Sequence, residues 1–352
     1  MRILHLLDPA HCGDEGLLCA ADLIERPGAE HECWLLGSER DERRAWSLGI
    51  PTTTRVHPRA RHGALSGLRR LWHDRRDHGG PDVVQCYSPS ALGLARSVFD
   101  VARVAVLARP PLDARSLRRA SDDDPGREVI AAFDEPTRRS IGAGSRLVDP
   151  PAFGPGGPVA VDRRSLRASL GLAPTDIALA WLADPPGAID AMHVAYCGGV
   201  LMAAGHRTVS LLRRGARQER RGAAYLRAHG RRWGMLLADC SLPELIGAAD
   251  ACVVDVSPGA TCGPVAASLA LSMGVPIGAA RGTILTEPGS EWPVQPAISG
   301  APGRIAVPIA AILEVPSLRA NLTSAGRAWG DRTGFGRAMS DLWAEAALVG
   351  TG

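Results

Sequence analysis

The 352-residue chain contains no lysine; all 40 of its basic residues are arginine. That absence excludes a Schiff base, a Walker-type lysine and any lysine clamp on phosphate. Phosphate charge must then be met by arginine, backbone N–H groups and helix dipoles. Aromatic residues are scarce, at 4%, and the net charge is a mild +3. With no basic tail and no stacking motif, nucleic acid is not an expected partner. The eight cysteines (Cys12, Cys19, Cys33, Cys86, Cys197, Cys240, Cys252, Cys262) form no C-x-x-C pair. Most sit inside apolar runs and read as small buried residues of a reducing compartment. No apolar run is long enough to span a membrane. The start, MRILHLLDP, is too short and wrongly flanked for a signal peptide, so the expected location is cytoplasmic. No Walker sequence, Ser/His/Asp order or metal-spaced His/Cys set is present, and neither a metal nor a cofactor is expected.

What is present is the composition of a soluble globular protein, 45% hydrophobic and 22% charged, at a length that suits two domains. Short apolar runs alternate with helical stretches: RILHLLD, then LLCAADLIE, then HECWLLG, later VVQCYSP, SALGLARSVFD and VARVAVLARP. Such alternation predicts a parallel sheet covered on both faces. The Pro- and Gly-dense DPPAFGPGGPVAV (149–161) reads as a linker. Beyond it the alternation restarts with DIALAWLAD, a helix over 188–204, HRTVSLLRRG, a helix over 217–230, WGMLLAD, LPELIGAAD and ACVVDVS. The expected architecture is α/β: two Rossmann-like parallel-sheet domains, 1–152 and 153–323, facing across a cleft. A helical tail over 324–352 follows, crossing back to the first domain. Any ligand is expected in the cleft, at the carboxyl ends of the strands. The arginine-rich stretch 58–80 interleaves Leu68, Leu71 and Trp72 at helical spacing, which predicts an amphipathic helix and not a nucleic-acid patch.

With this organisation in hand, MRILHLLD…CGDEGLLCAADLIERPGAEHECWLLGS resembles the amino-terminal domain of GT-B glycosyltransferases of the family-4 type (glycosyl transferases group 1). PDVVQCYSPSALGLAR resembles that family's fourth strand, and RRSLRASLGLAPTDIALAWLAD the start of its donor-binding domain. LPELIGAADACVVDVSPGATCGPVAASLALSMGVPI resembles its strand–loop–helix that receives the donor. The resemblance implies transfer of a sugar from a nucleotide sugar to a glycan or lipid-linked acceptor.

The departures are specific. The resemblance implies two glutamates eight positions apart for donor sugar and ribose. Those positions hold Thr261 and Leu269, or, in the alternative alignment, Ala260 and Ser268. An Arg/Lys pair for the diphosphate would fall where the chain has Asp184, Pro185 and Pro186. An acid there repels a diphosphate. Tyr87 stands in place of a histidine after the fourth strand, and Arg109 in place of another.

Backbone chemistry remains. Gly263-Pro264 opens an apolar helix whose unbonded N–H groups suit a phosphate, with Ser257, Thr261 and Ser268 nearby in sequence. The alternative is that Gly263 only turns the loop and Ala266, Ala267 and Ala270 only let the helix pack. Gly13 and Glu15 are expected in the first loop, facing the same cleft. Arg213 or Arg214, and Arg109 from the other domain, stand as replacement phosphate clamps. His11 is a general-base candidate, with no partner carboxylate evident from the sequence. Three readings stay open: a glycosyltransferase binding a nucleotide sugar or nucleoside diphosphate, an inactive GT-B-like binding or scaffold protein, and another enzyme of that fold such as a sugar-nucleotide epimerase.

Overall fold

The computed structural model describes residues 1–52, 54–56, 68–69, 72–73, 80–107, 127–142, 144–154, 157–158, 161–182, 191–213, 234–255, 263–288, 290–299, 303–330 and 334–350. It divides into two compact units, Met1–Pro151 with Thr333–Gly352, and Ala152–Arg332. Arg109, Arg214, Ser257, Thr261, Cys262, Asp184, Pro185, Pro186 and the helix expected over 217–230 lie outside the described residues, as does most of 58–80.

The first unit runs β1 (Arg2–Leu7), α1 (Pro9–Ile24), β2 (Glu30–Leu36), α2 (Glu39–Ser47), β3 (Thr54–Val56), β4 (Val83–Cys86), α3 (Pro89–Val98), β5 (Ala102–Leu107), β6 (Glu128–Ala132), α4 (Glu135–Ile141) and β7 (Arg146–Leu147). It is completed by α11 (Gly334–Gly350) from the far end of the chain. The strands form one parallel sheet in the order β3-β2-β1-β4-β5-β6-β7. Runs such as ILHLL and ARVAVL are unbroken because helices bury both faces of the sheet. Leu4, Leu6, Trp34, Leu36, Val84, Cys86, Ala105 and Leu107 share one face with Ala91, Leu92 and Ala95 of α3. Leu68 and Trp72, from the arginine-rich stretch, are buried in the same cluster. The opposite face carries His5, His31, Gln85 and Tyr87, and α1 and α11 pack there.

The helices start where local chemistry directs. Ser38 and Asp41 make a capping box on α2. Ser88 accepts from the Ala91 amide with Pro89 in the first turn of α3, and Asp134 caps α4. Each cap satisfies an amide that the helix itself cannot.

The second unit runs α5 (Arg163–Ser169), β8 (Ile177–Trp181), α6 (Ala191–Ala203), β9 (Thr208–Arg213), β10 (Met235–Ala238), α7 (Leu242–Ala248), β11 (Ala251–Val254), α8 (Pro264–Ser272), β12 (Ile277–Ala279), β13 (Gln295–Pro296), α9 (Ala306–Glu314) and α10 (Pro316–Gly330). Its sheet, again parallel, has the order β10-β9-β8-β11-β12-β13. Leu179, Trp181, Leu212, Ala251 and Val253 form a core with Val194, Cys197 and Leu201 of α6 and Ile309 and Ile312 of α9. On the other face α8 is buried along its whole length. A Cβ on Gly330 of α10 would meet Ser272 Oγ at 2.7 Å, so glycine sets the close approach of α10 to α8. The helical tail expected from 324 onward is thus two helices assigned to different units, α10 to the second and α11 to the first.

Candidate functional site

In each sheet the strand order reverses beside its first strand, between β1 and β4 and between β8 and β11. Helices leave on opposite faces at such a point and open a crevice at the carboxyl ends of the two strands. In the first unit that place is marked by Asp8, directly after β1, and by Ser88 and Ser90, directly after β4. Asp8 Oδ2 accepts from Ser90 Oγ at 2.6 Å and from His11 Nδ1 at 2.7 Å. Ser90 and Ser88 share a further hydroxyl contact of 3.0 Å. The Asp8 side chain is 9% exposed and that of His11 61%. A carboxylate on Nδ1–H fixes the tautomer and leaves Nε2 as the basic nitrogen. The carboxylate missing from the sequence reading of His11 is therefore Asp8. It sits three residues earlier, and the first turn of α1 brings it under the imidazole.

Gly13 and Glu15, expected in a loop, lie inside α1, which starts at Pro9. Gly13 breaks the helix with φ 66° and ψ −167°, a conformation open to glycine alone. Asp14 and Glu15 follow it, both fully buried, and Asp14 takes an ion pair from Arg44 of α2. Carboxylates thus stand at the positive end of the second helical segment.

Tyr87 is 3% exposed and bonds His5 Nδ1 through its hydroxyl at 2.5 Å. His5 Nε2 lies 2.9 Å from His31 Nδ1, and the Trp343 indole of α11 donates to Gln85 Oε1 at 2.8 Å. Burial, reinforced by the neighbouring His31, lowers the His5 pKa to about 3, so this polar cluster is neutral. Its place is beneath α11 and α1, inside the first unit, where it holds helices to the sheet.

In the second unit, Gly263 is the N-cap of α8 and Pro264 its first residue, with no side-chain cap. Ser268 is fully buried and its carbonyl accepts from Ser272 Oγ at 2.8 Å. Leu269, at a position where the resemblance implies a carboxylate, is fully buried too. Arg213 ends β9 at 8% exposure, pairs with Ala238, and faces away from the Trp181 core, on the face of α7 and α8. The strand order places β8 between it and β11, so Arg213 and the start of α8 share one face and one end of the sheet without adjoining strands. Gly263, Pro264 and Ser268 come together in one helix; Gly13 belongs to the other unit.

Sequence reasoning missed the pair at the second reversal. His193 Nδ1 in the first turn of α6 meets Asp255 Oδ2, directly after β11, at 2.9 Å. An acid closing an apolar strand, ACVVD, was the available signal.

Among the described residues, no group of three or more His, Cys, Asp or Glu is placed to hold a metal ion. None of the described helices is long and apolar enough to cross a membrane.

No protein-family model matches the chain, and no curated protein does. Solved structures match it end to end. HepE of Anabaena, in complex with UDP-glucose, superposes with a TM-score of 0.71 at 16% identity over 99% of both chains. Sucrose-phosphate synthase from Thermosynechococcus elongatus gives 0.65 at 16% over 98% of both. UDP-GlcNAc 2-epimerase from Neisseria meningitidis gives 0.56 at 11%, over 99% of this chain and 100% of the other. The fold is GT-B. A GT-B scaffold hosts transferases and epimerases alike, so chemistry has to be argued from the residues at the two strand reversals.

Proposed function

We propose that this GT-B protein binds a nucleotide sugar and transfers its sugar to an acceptor hydroxyl, as a cytoplasmic enzyme without metal or cofactor. The observation that carries the reading is the His11–Asp8 pair at the carboxyl end of the first sheet. Transfer needs a proton taken from the acceptor hydroxyl as its oxygen forms a bond to the anomeric carbon. The bond from that carbon to the diphosphate oxygen breaks, and the nucleoside diphosphate leaves. His11 Nε2 receives the proton, and Asp8 stabilises the resulting imidazolium. Ser90 in turn donates to the same Asp8 oxygen that His11 meets and helps to hold the carboxylate in place. The leaving diphosphate is met by backbone amides at Gly263 and by arginine, with Arg213, Arg109, Ser257, Thr261, Pro264, Ser268 and Gly13 as the donor-side set. The end-to-end likeness to HepE in complex with UDP-glucose supports a nucleotide-sugar ligand.

A second reading has its own support. With Leu269 buried and Asp184-Pro185-Pro186 where cations are implied, the chain would bind a nucleotide sugar and not turn it over. Calorimetric titration with a panel of nucleoside diphosphates and sugar nucleotides, paired with an assay for diphosphate release, separates the two. Binding with release supports transfer, and binding without release supports the second reading. No binding at millimolar ligand ends both.

A further inference from the structure

At the strand reversal of the second unit, the His193–Asp255 pair has no part in the proton transfer assigned to His11. Its two halves come from elements distant in sequence, α6 and the end of β11, and both are mostly buried, at 24% and 10% side-chain exposure. Trp181, 1% exposed, ends β8 at the same edge of the sheet. It pairs with Val253, two residues before Asp255, and packs in one core with Val194 and Cys197 of α6. Asp255 lies on that face as well, since its carboxylate helps burial push the Cys197 thiol up to about 12. The Trp181 indole N–H is buried and has no hydrogen-bond partner among the described residues. A buried donor left unpaired is costly, and a ligand oxygen relieves that cost.

The chemistry of this edge selects its ligand. A carboxylate offers lone pairs only, an indole a donor only, and an imidazole one of each. A phosphate is repelled by Asp255, whereas a hydroxyl donates to the carboxylate and accepts from an N–H. We infer that Asp255, held in place by His193, receives vicinal hydroxyls of a sugar at the β8–β11 reversal. This rests on the nucleotide-sugar reading above and adds the residue that recognises the ligand's hydroxyls. Those hydroxyls have two sources in such a ligand, the ribose and the transferred hexose. His193 is a positioning residue here, acting through Asp255.

The test is titration calorimetry on the full chain with UDP, 2′-deoxy-UDP and UDP-glucose, and with the adenine and guanine counterparts in parallel. If the ribose is the source, wild type binds the ribonucleotide at least about tenfold more tightly than the deoxy form. Asp255→Asn then removes that preference, weakening the ribonucleotide more than the deoxy form, which keeps one hydroxyl of the pair. If the hexose is the source, the same variant removes a preference for the sugar nucleotide over the diphosphate. His193→Asn, which keeps an N–H near the position of Nδ1, retains more of the preference than His193→Ala. A purely structural pair would lower Tm in these variants without moving either ratio. Should Asp255→Asn fail to fold, the wild-type ratios still decide. Nucleotide binding with neither preference overturns the inference and leaves the nucleotide-sugar reading standing. No binding of any of these nucleotides overturns both.

Discussion

His11 Nδ1 stands 2.7 Å from Asp8 Oδ2, with the imidazole exposed and the carboxylate buried. Burial of the acid and exposure of the base is the arrangement a proton acceptor needs, because orientation comes from inside and substrate arrives from outside. His11→Ala is expected to lower the rate of diphosphate release by about 10²–10⁴-fold, with little change in KM for the nucleotide sugar. Asp8→Asn, which keeps the shape and loses the charge, is expected to fall between that variant and wild type. Equal turnover in His11→Ala and wild type removes His11 from the mechanism.

Gly13 carries a backbone conformation that side chains do not share, φ 66° and ψ −167° within α1. Gly13→Ala is therefore expected to destabilise the chain by about 1–3 kcal/mol through strain alone. Thermal unfolding measures this; an unchanged Tm means that the break in α1 is dispensable.

Burial lowers His5 to about 3 from an ordinary 6.5. The unfolded chain binds a proton below 6.5 that the folded chain refuses until about 3. The neutral cluster's contribution is then whole above 6.5 and drains away as pH falls toward 3, on the order of 5 kcal/mol at the limit. Burial lowers His31 as well, which adds in the same direction. Denaturant midpoints followed from pH 7.5 down to 5 are expected to drop, and His5→Gln to flatten that slope. An identical slope in wild type and variant assigns the acid sensitivity elsewhere.

Leu269→Glu would place a carboxylate where the family resemblance implies one. The side chain is fully buried on α8, beneath residues of the same unit. Burying an unpaired carboxyl group costs several kcal/mol, so loss of the folded state is expected instead of gained nucleotide affinity. Circular dichroism and titration on the purified variant separate these outcomes.

Trp343 of α11 donates to Gln85 Oε1 from more than two hundred positions away in the chain. Trp343→Phe keeps most of the packing and strands that buried acceptor, with an expected cost of about 1–3 kcal/mol. The loss should appear as earlier proteolysis of the carboxyl-terminal segment, scored by limited digestion.

The parallel α/β character was legible because burial on both faces leaves a mark in the chain itself. ILHLL, ARVAVL and ACVV are apolar without alternation, and Ser38, Ser88 and Ser241 announce helix starts one residue ahead. The Pro264 turn of α8 was legible for the same reason, as local preference. His11 was visible, and its partner was not. Asp8 precedes a proline and reads as a loop acid until α1 starts at Pro9 and stacks the two side chains. Glu15 misled in the opposite direction, because a loop glutamate and a helix glutamate facing the core look alike in one dimension.

Local sequence thus determined which segments become strands and helices and that two βα series exist, since periodicity and capping act over a few residues. Tertiary structure alone decided the polar pairings between distant segments. His193 meets Asp255 only because β8 and β11 lie side by side in the sheet, and Tyr87 meets His5 only because β4 adds beside β1. Such contacts depend on strand order. Hydrophobic pattern cannot encode that order, because every interior strand of a parallel sheet presents the same apolar face to its neighbours.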